Sequence, residues 1–271
     1  MTRPRRKGDF LRIGSDKIET SVRTYAKGAQ TVYLVNMIHY GEFPYYQRVA
    51  KELRRADVVL YELVYGELVG SPGRLLNLPY TSVRVAFGHM TNWAFCRQTR
   101  LVRQIDFLRP KPDWVHADVT ADELVKKRFG NEYALFAVQV MDTPFWGIAI
   151  ALYPVTLTLG YIDECVTTLC SSHEHYNMLR RRALAHALSR KTRKTKLYKI
   201  IVTWRSNKAF ETFTKQARRT SDASIAIVYG AGHGQDFHAA LKRAGYQLTD
   251  TKWLTAMHLS TERERAGGDD E

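Results

Sequence analysis

Two apolar runs near opposite ends of the chain, Thr31–Ile38 (TVYLVNMI) and Ser224–Tyr229 (SIAIVY), each lead into a histidine. Both runs are continuous rather than alternating and rich in β-branched residues, the pattern of a strand buried on both faces. After His39 and Gly41 a helix is predicted from Pro44, because Tyr46, Val49, Ala50 and Leu53 recur at helical spacing through Arg55. A further apolar run, Asp57–Val64 (DVVLYELV), completes a β-α-β unit, which requires parallel strands. The carboxyl end repeats the theme: Gly230-Ala-Gly-His233-Gly is a glycine-rich turn, Gln235–Ala244 a predicted helix, and a strand follows from Tyr246. Ligands bind beyond the carboxyl ends of parallel strands. If 31–38 and 224–229 are neighbours, His39 and His233 converge although they lie 194 positions apart (233 − 39). The expected fold is α/β, with a central mostly parallel β-sheet built from two β-α units at the two ends of the chain and a helical insertion or cap in the middle.

The 271 residues suffice for one large domain. We expect a mobile basic arm over 1–20, a single domain over 21–259 with about 121–200 as helical insertion, and a disordered charged tail over 260–271. Ser71–Tyr80 reads as a loop and 83–104 as helix. Lys and Arg outnumber Asp and Glu by 41 to 27, a formal charge of +14, and much of the excess lies in Arg180–Lys199. That balance suits an acidic partner or an anionic membrane surface, or a solvated basic face with no dedicated partner. No motif indicates nucleic acid. Cys96, Cys165 and Cys170 form no CxxC pair, which argues against a zinc ribbon or a disulfide scaffold and suits a reducing compartment. The basic amino terminus runs into Asp9, Arg12 and Asp16, too charged for a signal peptide, so a cytoplasmic location is expected. Tyr133–Tyr161 carries a single charge, Asp142, yet Gln139, Pro144 and Pro154 also interrupt it. It reads as buried or interfacial helix, with peripheral membrane association as the alternative.

Glu62 sits inside the apolar VVLYELV, where a carboxylate must be paired, protonated or metal-bound. Two imidazoles with one or two carboxylates make a divalent-metal site with open positions for water. A bound metal lowers the pKa of water from ~15.7 to ~7, and Glu42 or Glu62 would then serve as general base. The structural alternative is a pair of satisfied strand-end histidines. There is no P-loop, GxSxG or HExxH. Glu164, Cys165, His173 and His175 match no zinc pattern and read as helix-surface residues.

VYLVNMIHYGEFPYYQRVAKELRRADVVLYELV resembles the opening of the TraB/GumN (TraB/PrgY/TIKI) family: an apolar strand, GxxH, a helix and a second strand ending in Glu. IAIVYGAGHGQDFHAALKRAGYQL is similar to its second GxxH block; IDFLRPKPDWVHADVTADEL and KWLTAMHL are similar to later family segments, in the family's order. The resemblance, which extends to the TIKI/EreA/ChaN-like superfamily, covers about half of the chain. It implies a metal-dependent hydrolase that cleaves a peptide or small ester, using Mn, Co or Zn. His39, His233 and Glu62 would form the site, with Glu42 as an alternative base and Arg205 stabilising developing negative charge. His116 and Asp118, in VHADVT, are secondary candidates. The alternative is a non-catalytic protein of the same fold that binds a peptide or haem. Two departures matter. Asn36 stands where the first GxxH has glycine, and because Asn tolerates unusual backbone angles the turn is expected to survive. The family's Arg-Asn pair appears as Arg205-Ser206-Asn207.

Overall fold

A computed structural model describes residues 10–62, 92–120, 123, 127, 151–152, 154–155, 158–169, 172–189 and 199–261. They fall into two compact units. The first takes its described residues from 10–62, 101–119, 185–189 and 199–260; the second takes them from the intervening stretches and Thr261. The Ser71–Tyr80 loop and residues 133–150 of the apolar segment lie outside the described residues. Among the described residues no helix is long and apolar enough to cross a membrane.

The first unit is built on one sheet, and the α/β expectation holds. Strands β1 (Leu11–Ile13), β2 (Lys17–Lys27) and β3 (Gln30–Met37) are joined antiparallel. β4 (Tyr40–Gly41) leaves this sheet and pairs with β6 (Val102–Arg103). β5 (Val58–Tyr61), β7 (Val115–His116) and β8 (Ser224–Gly230) complete the parallel core, in the order β3-β8-β5-β7. β9 (Gln247–His258) runs antiparallel along β2. The two apolar runs that head for the histidines are therefore direct neighbours, with Thr31 opposite Ser224 and Met37 opposite Gly230.

Side-chain alternation explains why both runs are apolar throughout. Val32 and Leu34 of β3, with Ile225, Ile227 and Tyr229 of β8, join a cluster containing Phe213 of α4 (Arg205–Arg219) and Phe237 and Leu241 of α5 (Gly234–Arg243). Val35, Met37, Ala226 and Val228 point to the opposite side and are equally buried. Helix α1 (Phe43–Leu53), started by Pro44, buries Tyr45, Tyr46, Val49 and Leu53. Helices on both faces leave no room for an alternating polar row. The short α2 (Gln104–Phe107) and α3 (His173–Ser189) complete the labelled helices.

Three expectations are corrected. Order begins earlier than the predicted arm allows: Phe10, Ile18 and Thr20 are buried, because β2 is the central strand of the β1-β2-β9 ribbon. The predicted helix 83–104 ends before Leu101, at Arg100, whose φ of 51° lies in the left-handed region and turns the chain into β6. Asn36 occupies no turn. It lies in extended β3 opposite Tyr229, fully buried, and its amide donates to the Ser21 carbonyl at 3.0 Å and reaches Ser21 Oγ at 3.1 Å.

The other side of the Asn36 amide explains one glycine. A Cβ on Gly234 would lie 2.6 Å from Asn36 Oδ1 and 2.4 Å from Phe10 Cγ, so the start of α5 can approach the sheet only without a side chain. Gly234→Ala should therefore destabilise the protein by about 1–3 kcal/mol, as overpacking of a closed core does. A lowered urea midpoint with unchanged slope is the expected reading.

Candidate functional site

The site lies at the carboxyl ends of the parallel strands, where each strand delivers one group. Beyond β5, the Glu62 amide continues the ladder by donating to the Val228 carbonyl at 3.2 Å. Its carboxylate turns to β8, and Oε2 accepts the Gly230 N–H at 2.6 Å. Beyond β7, Tyr229 Oη donates to the Ala117 carbonyl at 2.5 Å and pins the chain that presents Asp118. Arg205, the first residue of α4, enters after a π-helical stretch, Lys199–Trp204. Such stretches recur at functional sites.

Arg205 joins the carboxylates. Its Nη2 donates to Glu62 Oε1 at 2.6 Å and Asp118 Oδ2 at 2.5 Å, and its Nε to Asp118 Oδ1 at 2.9 Å. All three side chains are nearly or fully sealed from solvent, with exposures of 8%, 10% and 0% for Arg205, Glu62 and Asp118. Burial disfavours the Arg205 cation, but hydrogen bonding to Asp118 and the charge of Glu62 outweigh it and raise the guanidinium pKa. For Glu62, burial pushes the carboxyl up; the opposing influences of His233, Arg205, the Gly230 amide and His39 win, and its pKa falls below the ordinary value. Of these, Arg205 is permanently charged, whereas the His233 ring is itself held neutral.

That neutrality comes first from burial, which lowers the His233 pKa against the pull of Glu62. The tautomer follows from the hydrogen-bond network. Ser206 Oγ spends its proton on the Val202 carbonyl at 2.8 Å, so at 2.9 Å from His233 Nδ1 it must accept. The ring proton is thereby assigned to Nδ1, and the Nε2 lone pair lies 3.6 Å from Glu62 Oε1. His39 is exposed. Its Nδ1 lies 3.1 Å from Gln104 Oε1, and the Gln104 amide donates to the His39 carbonyl at 2.9 Å. It acts on Glu62 electrostatically rather than by contact. A cavity of about 30 Å³ is bordered by Glu62 and Gln104 and otherwise mainly by apolar or aromatic side chains, among them Met37, Leu53, Leu108 and Trp114.

The structure thus brings Glu62, His233, Arg205 and Asp118 into one network, with His39 at its margin. It does not bring in two other candidates. Glu42, the alternative base, is tied to β9: its Oε1 accepts the His258 amide at 3.0 Å and its Oε2 lies 2.9 Å from His258 Nδ1. His116 packs edge-on against Tyr61, its register partner, at 5.5 Å. Arg205 serves first to neutralise two carboxylates, because it is held against both. Sequence reading missed Ser206 and Gln104 as partners of the histidines; nothing marks a serine or glutamine beside a remote ring until the fold places them. Among the described residues no three His, Cys, Asp or Glu side chains form a ready metal shell.

The fold and site define an α/β protein with a buried acid–base cluster at the carboxyl edge of its parallel strands. Comparison with protein-family models, curated proteins and solved structures found no match to this chain.

Two outcomes follow from the network. Arg205→Met leaves two buried carboxylates without their counter-ion and should cost about 3–5 kcal/mol at neutral pH; adding Asp118→Asn should recover part of that loss in a double-mutant cycle. Stability should also fall on acidification. Unfolded His233 takes its proton near 6.5 while the folded ring resists, so stability declines as pH drops below that value. The contribution of Glu62 is complete above 4.5 and is lost as pH falls through its lower folded value. Urea midpoints measured against pH, for the native chain and His233→Gln, should differ in slope just below 6.5.

Proposed function

We propose that this protein is a hydrolase of peptide or small ester bonds, working at the His233–Glu62 pair with a divalent metal ion. The observation that carries the reading is a neutral imidazole whose Nε2 lone pair lies 3.6 Å from an ionised carboxylate, beyond the ends of parallel strands. Two atoms bound to one tetrahedral metal lie about 3.3 Å apart, and this pair is close to that spacing. His233 and Glu62 would hold the metal, with His39 at the margin of the site, and the ion would supply hydroxide at neutral pH and polarise the scissile carbonyl. Glu62 keeps lone pairs for this role although both oxygens already accept hydrogen bonds.

The residues of the chain also support acid–base work directly. Without the ion, which would occupy the same lone pair, His233 Nε2 would accept a proton from the attacking water as its oxygen bonds to the carbonyl carbon, and the bond from that carbon to the leaving nitrogen or oxygen would then break. The imidazolium that forms is stabilised by Glu62, kept ionised by Arg205, and then returns the proton to the leaving amine or alcohol. Ser206 accepts from Nδ1 throughout, so the reactive nitrogen faces the same way in each state.

The test is hydrolysis of a peptide and ester panel with Mn, Co or Zn, with metal content measured on the same samples. His233→Ala should lower kcat/KM by ~100-fold or more, and the His39→Ala/His233→Ala double variant should lose its metal. Equal metal in native and double-variant protein would remove the metal from the proposal. Absence of turnover, together with a Soret band on haem addition that the double variant lacks, would favour the non-catalytic binding reading.

A further inference from the structure

A helical stretch of the second unit is turned inside out. All described residues from 151 to 169 are helical. Its packed side is polar or small: Glu164, only 7% exposed, lies 3.8 Å from Arg97 and 3.6 Å from His173 Nδ1, and a Cβ on Gly160 would meet Gln98 Nε2 at 3.8 Å. Glu164 is therefore an interior group and not the surface residue its sequence suggests. The outward side carries Leu152, Val155, Leu159, Ile162, Val166 and Leu169, exposed between 50% and 87%. A surface helix normally buries its apolar stripe; this one presents it.

The spacing of the six residues is 3-4-3-4-3, a 3.5-residue period, which is the seam of a two-helix coiled coil. The seam is also palindromic. Reversing it about its midpoint places Leu152 opposite Leu169, Val155 opposite Val166 and Leu159 opposite Ile162, like against like at every level. A two-fold interface must be self-complementary in this manner, since each contact between residues i and j recurs as j and i. Lipid asks for no such register. The stretch 151–169 contains no Lys or Arg, whereas helices lying on membranes carry them on the polar face. Asp163, paired with Arg180 at 3.2 Å, and Thr158 flank the seam and are exposed, as is Tyr161, which lies outside the 3-4 spacing. Six such side chains, about half exposed, offer on the order of 600 Å² per copy, so two copies reach the ~1,200 Å² at which stable interfaces begin.

We propose that residues 152–169 form an antiparallel two-helix interface with a second copy of this chain. The native 271-residue chain should sediment as a concentration-dependent dimer, and hydrogen exchange across 152–169 should slow as concentration rises. Leu159→Lys and Ile162→Glu, both on the exposed face, should each keep the native circular dichroism and melting transition while weakening dimerisation by ~100-fold or more. Mixing the two variants should restore a heterodimer, because residue 159 of one copy faces residue 162 of the other. A native chain that stays monomeric from micromolar to near-millimolar concentration overturns the proposal, as do variants that dimerise undiminished. Mixed variants that remain monomeric overturn the antiparallel register. Capture of the monomeric native chain by phosphatidylcholine vesicles, lost in both variants, would assign the seam to lipid and overturn it as well. Should a variant fail to fold, concentration-independent exchange over 152–169 in the native chain decides against the proposal by itself.

Discussion

The buried guanidinium of Arg205 is the constraint on which the site depends. Glu62 and Asp118 come from different parallel strands, and two carboxylates at adjoining strand ends repel each other and lose hydration together. One planar cation, able to donate to both, converts that repulsion into a bridge between β5, β7 and the start of α4. It also sets the charge of Glu62. A sealed glutamate on its own would keep its proton; this one is ionised and can act on His233.

The topology makes the bridge possible. β8 enters between β3 and β5, so the carboxyl-terminal part of the chain supplies the middle of a sheet begun by the amino-terminal part. His39, Glu62 and Asp118 precede β8 in sequence, while Arg205 and His233 lie on either side of it; the cluster exists only when β8 is in place. The antiparallel β1-β2-β9 ribbon closes the outer side of β3, and Asn36 links the two halves through Ser21 while leaving Gly234 room beneath Phe10. In the second unit the physical logic is reversed, with a carboxylate inside and an apolar stripe outside. Among the described residues that stripe is exposed, and its symmetry matches a partner identical to itself.

Much of the fold is legible in the sequence alone. Continuous apolar runs at 31–38 and 224–229 identify strands buried on both faces, because only a sheet covered on both sides tolerates an unbroken row of Val, Ile and Leu. Pro44 and the 3.6-residue spacing after it identify α1. A charged residue within DVVLYELV identifies Glu62 as a group that needs a partner. These signals are local, and local sequence carries them in full. The arm expected over 1–20 shows the limit: the residues around Ile18 alternate with Lys17 and Glu19 and look solvated, yet β9, more than 200 positions away, pairs with them.

What the amino-acid sequence determined by itself is the kind of element at each end of the chain and the presence of an acid and two imidazoles at strand termini. What only tertiary structure decided is which of these groups meet. Glu42 and Glu62 are indistinguishable as carboxylates near a histidine, but the pairing of the Glu42 amide with Ala256 turns that side chain to His258, while the parallel register of β5 on β8 carries Glu62 to Gly230 and Arg205. Likewise Ser206 becomes the partner of His233 only because α4 and α5 pack on the same face of the sheet. Strand and helix propensities act over a few residues; the hydrogen bonds that orient an imidazole are set by neighbours tens to hundreds of positions away.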